Sequence, residues 1–382
     1  MDFDLTEEQS MLKDSLKRLL ADNYGFEQRR KYMAAAEGWS GEMWGRYAEM
    51  GLMALPFAEA DGGLGGSAVE TMIVMEEMGR TLVLEPYFST VVLSGSVLRF
   101  AGNEDHRAEW IPQVAEGTLK LALAHTERNS RYELSSVETV AKMDGEGWVL
   151  NGAKSVVLHG DSADHVFVTA RTAGDTRDEA GIGIFMVDAG AEGFSRRGYT
   201  MQDGQRGADL KFENVRVGPE HVFGDPENAL TVLRQVADAG IAALCAEAIG
   251  VMDVMRELTV DYIKTRQQFG LPIGAFQALQ HAAVDMFVAA EQARSMAIYG
   301  TMMAETDDAD ERARAMHAVK AEIGRAGRLA GENAIQLHGG VGMTMEYAIG
   351  HYFKRMTMID IALGDHEYHL RALAEKGGLI EA

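Results

Sequence analysis

Residues 265–281 read TRQQFGLPIGAFQALQH. A helical stretch closes on an arginine, two glutamines and a phenylalanine. Gly-Leu-Pro (270–272) breaks it, and a new stretch opens with another aromatic and two more glutamines. Glycine followed closely by proline marks a chain reversal, not a continuing helix. The break gathers a cation, amides and aromatic rings in a chain whose net charge is −22. That contrast poses the functional question.

After the break, Leu279, Ala283, Met286, Ala290, Ala293 and Ala297 step by four and three. This is a helix packed along one seam, as in a bundle, and its small residues suit close helix approach or a subunit interface. ETDDADE (305–311) reads as a solvated acidic connection, and helices continue to the end. Before the break, from about 119 to 220, the texture is β-rich: LKLALAHTE, VETVAKM, GWVLNGAKSVVL, HVFVTART, GIGIFMVDA and ADLKFENVRV, punctuated by Gly, Asn and Asp. These spacings predict antiparallel strands in a sandwich or barrel. DGEGWVLNGAK predicts a hairpin and then a second turn. No helices alternate with the strands, so a Rossmann unit is excluded. From 1 to about 118 the pattern is helical, with Thr6 as N-cap and Gln9 three residues later as a capping box. DGGLGGSA (61–68) reads as a turn between helices: it lacks the Lys-Ser/Thr of a P-loop, and no strand precedes it.

The fold class is therefore α+β multidomain: an N-terminal helical domain (1–118), a central antiparallel β-sandwich or barrel (119–225) and a C-terminal helical bundle (226–382). A chain of 382 residues is too long for one ordinary core. The net charge of −22 argues against nucleic acid or an anionic membrane as the main partner. The acidic start and the absence of a long apolar run predict neither signal peptide nor membrane span. The single Cys245 cannot close an intrachain disulfide, which fits a cytoplasmic protein. HEYH (366–369) lacks HExxH spacing, so no metal site is expected. The 23 methionines read mainly as core filler.

Five segments in order resemble the acyl-CoA dehydrogenase family over essentially the whole chain: FDLTEEQ (3–9), GLMALPFAEADGGLGGSAVETMIVMEEMGR (51–80), NGAK (151–154) with ADHVFVTAR (163–171), RQQFGLPIGAFQ (266–277) and QLHGGVGMTMEY (336–347). The resemblance implies that the helix break binds the diphosphate and adenosine of FAD, usually that of a neighbouring subunit. Arg266 matches the diphosphate arginine, and a planar guanidinium pairs bidentately with phosphate. Phe269 matches an aromatic packed on the cofactor, and Gln268, Phe276 and Gln277 match further contacts. Gln336, Leu337, Gly339 and Gly340 match the loop where glycines let backbone approach the diphosphate. On the flavin side the matching positions are Thr126, Val157 and Leu158.

Dehydrogenation across the α and β carbons of an acyl-CoA thioester needs a carboxylate for the α-proton, a flavin for the β-hydride and donors for the enolate-like oxygen. The resemblance places the carboxylate at Leu363 or, in other members, at Gly240, and neither side chain accepts a proton. No catalytic residue is therefore assigned. Asp365 and Asp238 lie two residues from those positions, about 200° around a helix, and should point away. The family's TEPxAGSD is here TERNSRYE (126–133), with Tyr132 for a serine. Its Trp-Ile-Thr is here Val156, Val157 and Leu158, and Leu158 cannot bond the flavin N5. Asp365 replaces a threonine and would repel a diphosphate. Positions serving this chain's own FAD are degraded, while those reaching a neighbour's are kept. This asymmetry implies a subunit that completes the FAD site of a paralogous partner in a hetero-oligomer, with a homo-oligomer as the other arrangement. Electrons would pass to an electron-transfer flavoprotein. The alternatives are a flavin monooxygenase of the same fold and a non-catalytic scaffold.

Overall fold

The computed structural model describes residues 5–379. Six helices lead: α1 (Glu7–Asn23), α2 (Phe26–Ala34), α3 (Gly41–Glu49), α4 (Ala68–Thr81), α5 (Gly95–Ala101) and α6 (Glu104–Ala115), with a buried π-helical segment at Phe88–Ser94 before α5. Eight strands follow: β1 (Leu121–Ala124), β2 (Val140–Asp144), β3 (Gly147–Leu158), β4 (His165–Arg171), β5 (Ile182–Asp188), β6 (Phe194–Thr200), β7 (Arg206–Val217) and β8 (Val222–Phe223). The chain ends with α7 (Leu230–Thr265), a two-stranded hairpin β9 (Gln267–Gln268) and β10 (Leu271–Pro272), then α8 (Gln277–Met303), α9 (Ala309–His338), α10 (Ile349–Ile361) and α11 (His366–Glu375). The expected order of helices, strands and helices is the order observed. No helix among the described residues is long and apolar enough to cross a membrane.

The chain forms two compact units. One comprises residues 1–31, 68–83 and 241–382. α1 starts on the expected capping box: the Thr6 hydroxyl accepts from the Gln9 amide, and the Gln9 side chain accepts from Thr6 N–H. α4 and α7 cross at glycines. A Cβ on Gly79 would collide with the Glu247 carbonyl, and one on Gly250 with the Glu76 carbonyl. Around that crossing Asp253 accepts from Arg80 at 3.3 Å and from Arg294 at 2.8 Å, and Lys13 pairs with Glu76 at 3.0 Å. On α8 the expected seam is buried at Met286, Ala290, Ala293 and Ala297, while Leu279 and Ala283 in its first turns are only half-buried. α10 lies over a glycine stripe of α9, where Gly327 and Gly331 leave room for Met356 and Phe353.

The other unit comprises residues 32–67 and 84–240. Its sheet is one path, β6-β7-β3-β2-β4-β5-β8, with β1 added to β4. The antiparallel expectation needs correction: β1 pairs parallel with β4, and so does β2, through the single pair Val140↔Arg171. At that narrow seam the sheet divides into halves that share one core, with Leu150, Leu210 and Phe212 from one side and Val166, Phe185 and Val187 from the other. β6 (FSRRGYT) was not legible as a strand. It is a mostly exposed edge paired only with β7, so it carries no apolar alternation. The 61–68 segment is the expected turn, with Gly62 and Gly65 at φ of 86° and 66°.

NGAK does not make a second turn. Asn151 and Gly152 form a bulge inside the continuous β3. Asn151 donates to the Asn214 side chain at 3.2 Å and accepts from the Asn214 amide at 2.9 Å. A Cβ on Gly152 would strike Thr139. Lys154 is fully buried and pairs with Glu127 at 2.7 Å, while its ammonium also donates to Thr169 Oγ1 at 3.0 Å and to the His125 carbonyl at 3.1 Å. Glu127 in turn accepts from the amides of Glu138 (2.7 Å) and Thr139 (3.0 Å). Arg171, the last residue of the ADHVFVTAR signature, donates to the carbonyls of Ser135, Thr176, Asp178 and Ala180. These signature residues hold the β unit together.

Removing one partner of a buried ion pair strands the other charge, at a cost of about 3–5 kcal/mol. Lys154→Met is expected to destabilise the β unit by about that much, with Glu127→Gln/Lys154→Met recovering part of the loss. All four tryptophans (39, 44, 110 and 148) lie in this unit, so urea unfolding followed by tryptophan fluorescence reads it selectively.

Candidate functional site

The helix break is a tight hairpin. α7 stops at Thr265, the Arg266 amide donates to the Tyr262 carbonyl, and the Ile273 amide donates to the Arg266 carbonyl, both at 2.8 Å. Gln268 pairs with Leu271 across a two-residue loop in which Phe269 and Gly270 have φ of 55° and 81°. Positive φ at both central residues marks the turn that matches strand twist, and at a phenylalanine it is strained. Phe269 is nonetheless 91% exposed, with only an edge contact to Phe276 at 6.1 Å. Arg266, Gln268, Phe276 and Gln277 are exposed on the same break.

The second signature loop caps α9. Gly339 (φ 59°) ends the helix with its amide on the Gln336 and Ile335 carbonyls, and a Cβ on Gly339 or Gly340 would stand in open space. Gln336 is exposed. The Leu337 side chain is buried and belongs to the core. The two loops are joined by a ring stack that sequence reasoning missed: Tyr262, one turn before Arg266, stacks on His338 at 4.5 Å, and Tyr347 closes on His338 at 5.1 Å. The His338 Nδ1–H donates to the Ala334 carbonyl at 2.8 Å, and burial lowers its pKa. The only signal for this stack was aromatic residues beside each signature, too common to single out.

On the strand side, Thr126 is exposed and its carbonyl accepts from the Ser155 amide at 2.8 Å. β3 is irregular between Lys154 and Val157, and Val156 sits there at φ 54°, 48% exposed. A β-branched residue in that region is a genuine outlier. Val157 is buried in the sheet core and Leu158 is half-buried.

The positions where a base was expected offer none. Leu363 (φ 58°) and Gly364 (φ 110°) form a left-handed turn between α10 and α11. Asp365, expected to repel a diphosphate, has a local task instead: it caps α11, accepting from the Tyr368 amide at 2.8 Å. Gly240 lies within α7. Glu247, about two turns further, is bound bidentately by Arg355 at 2.6 and 2.7 Å with both groups buried.

The Leu363–Gly364 turn rests on a buried basic cluster. The Lys320 ammonium donates to the carbonyls of Asp360 (2.7 Å) and Gly364 (2.6 Å). His369 Nε2 lies 2.9 Å from the Leu363 carbonyl, and its Nδ1 lies 2.8 Å from Nδ1 of His317. A carbonyl only accepts, so His369 carries its proton on Nε2, accepts at Nδ1, and requires His317 to donate from Nδ1. Burial and then the nearby Lys320 push His369 down to about 3; burial and then Lys376 push His317 down to about 4. Burial also lowers Lys320 to about 8.

The donor set suits FAD. A free guanidinium and amides match a diphosphate and ribose, exposed aromatic edges match flat rings, and unobstructed glycines match close backbone approach. Among the described residues no group of three or more His, Cys, Asp or Glu side chains is placed to hold a metal ion.

Comparison with known proteins identifies the family. Residues 6–118, 122–215 and 230–378 match the N-terminal, middle and C-terminal domains of acyl-CoA dehydrogenase. The chain belongs to the acyl-CoA dehydrogenase family. It is 26% identical to the probable acyl-CoA dehydrogenase YngJ of Bacillus subtilis (98% of this chain, 99% of that one) and 27% identical to FadE12 of Mycobacterium tuberculosis (97% and 96%). Among solved structures, a steroid ACAD variant of Tcur3481-Tcur3483 superposes with a TM-score of 0.87 at 27% identity over 97% of both chains. Membership places the chain among oxidoreductases acting on acyl-CoA, with FAD as the cofactor.

The two histidines set a pH dependence. Their folded pKa values lie below the unfolded value of about 6.5, so the unfolded chain binds more protons as pH falls. The stability they contribute is complete above about 6.5 and is lost toward their folded values near 4 and 3. Between about pH 6.5 and 5 each histidine contributes up to about 1.4 kcal/mol per pH unit. His369→Gln is expected to flatten that slope in urea titrations across the window.

Proposed function

We propose that this chain is a subunit of a heteromeric FAD-dependent acyl-CoA dehydrogenase, in which it completes a paralogous partner's FAD site and supplies no base of its own. One observation carries the reading: the Arg266–Phe269 hairpin holds a strained, almost fully exposed phenylalanine beside a free guanidinium, while the base position is Leu363. An exposed, strained aromatic persists where something outside the chain covers it.

In this reading Arg266, Gln268, Gln277 and Gln336 hold the diphosphate and ribose of the partner's cofactor, and Phe269 with Phe276 covers its flat rings. Gly339 and Gly340 keep the backbone clear for the same group. When bound, FAD supplies the acceptor for the β-hydride. The α-proton goes to a carboxylate of the partner, because Glu247 is tied to Arg355 and Asp365 to its helix cap. The Tcur3481-Tcur3483 pairing named for the similar steroid ACAD supports a two-gene assembly. Electrons then pass to an electron-transfer flavoprotein. The substrate is an acyl-CoA thioester.

Co-expression with a paralogous acyl-CoA dehydrogenase subunit is the test. The single chain is expected to purify colourless and inactive, and the complex yellow and active toward acyl-CoA. Arg266→Gln in the complex is expected to lower flavin content at least severalfold, read from the flavin absorbance per protein. A single chain with stoichiometric FAD that turns over an acyl-CoA would sink the proposal.

A further inference from the structure

Seven asparagines occur in the chain, and only Asn151 is followed by glycine. Asparagine before glycine is the pairing most prone to self-catalysed deamidation, because no Cβ shields the following nitrogen. Asn151 is exposed to solvent. Both residues are nonetheless demanded by the fold. A Cβ on Gly152 would strike Thr139, and the Asn151 side chain bridges to β7 through Asn214.

The surrounding strands hold the pair in an unreactive posture. Leu150 pairs with Val215 and Gly152 with Phe212, so Asn151 faces both Glu213 and Asn214 across the bulge. On its other side Asn151 pairs with Val140 of β2. Two bonds draw its carboxamide toward β7: Nδ2 donates to Asn214 Oδ1 at 3.2 Å, and Oδ1 accepts from the Asn214 amide at 2.9 Å. Asn214 reaches it from φ of 56°, a left-handed conformation that asparagine tolerates. Imide formation needs the carboxamide carbon to swing back over its own chain to the Gly152 nitrogen. That motion gives up both bonds. Asn129, which precedes Ser130, is also exposed and is held by a separate bond to Glu138 at 3.2 Å.

We propose that Asn151–Gly152 is a latent site of self-catalysed deamidation and that Asn214 is the brake that holds it. Solvent hydroxide takes the Gly152 amide proton, and the nitrogen then bonds to Cγ of Asn151. The Cγ–Nδ2 bond breaks, and the amino group leaves as ammonia with a proton from water. Water opens the cyclic imide at either carbonyl, giving aspartate or isoaspartate. Either product carries a carboxylate, which cannot donate to Asn214 Oδ1. Isoaspartate also adds one carbon to the backbone of β3, three residues before Lys154, and so disturbs the register that brings Lys154 to Glu127. No cofactor or partner subunit takes part in this chemistry.

Incubation of the full chain at mildly alkaline pH, followed by peptide mass spectrometry, tests this. Conversion at Asn151 and at Asn129 is read from the mass gain of amide-to-acid exchange, and isoaspartate from its separate chromatographic peak. The chain unfolded in guanidinium chloride is expected to convert Asn151 at least about tenfold faster than the folded chain. Asn214→Gly removes the Oδ1 acceptor yet suits the left-handed backbone, and should speed conversion of the folded chain about fivefold. Asn214→Asp keeps an acceptor oxygen and is expected to stay within about twofold of wild type. Tryptophan fluorescence checks that each variant folds, and conversion at Asn129 should not change. The proposal fails if Asn151 survives in the unfolded chain, or if folded and unfolded chains convert it alike. It fails equally if Asn214→Gly leaves the rate unchanged, or raises conversion at Asn129 by the same factor.

Discussion

A lysine and a glutamate buried together anchor the strand-rich unit. Lys154, inside β3, and Glu127, in the connection between β1 and β2, meet at 2.7 Å with both side chains buried. Such a pair persists only where its remaining donors and acceptors are filled, and here Thr169, the His125 carbonyl and two backbone amides fill them. The pair ties the 126–139 loop to β3, and the same loop presents Thr126, Arg128 and Arg131. Residues that resemble a cofactor signature thus act one step back from any cofactor, by fixing the backbone.

A similar division runs through the helical unit. Lys320 and His369 satisfy the carbonyls of a left-handed turn, with His317 bonded to the far side of the His369 ring, and so hold position 363 in a conformation that leucine does not choose for itself. The turn's support is retained while its proton acceptor is absent. Glu247 and Asp365 are both consumed by structural tasks.

Much of the architecture was legible because it rests on local patterns. The capping box at Thr6, the glycine turn at 61–68, the α8 seam and the hairpin between β2 and β3 are written in residue order. The edge strand β6 was not, because an edge exposed on most of its length has no alternation to read. The bulge at Asn151–Gly152 imitated a turn, since the same two residues serve either when a partner strand supplies the second asparagine. Of the candidate site, Arg266, Phe269 and the glycine loop were legible by resemblance. The stack of Tyr262 on His338 that joins them was not, because its members are 76 residues apart and ordinary in type.

The sequence alone determined the family, the order of helices and strands, and the absence of a proton acceptor at positions 363 and 240, because these depend on which side chain stands where. Only the tertiary structure decided which charges are free and which are spent. Arg171 and Arg128 are the same residue type, yet one is enclosed by four carbonyls and the other faces solvent with its charge unopposed. A guanidinium's availability depends on the carbonyls and carboxylates folded against it, and those arrive from segments far away in the chain.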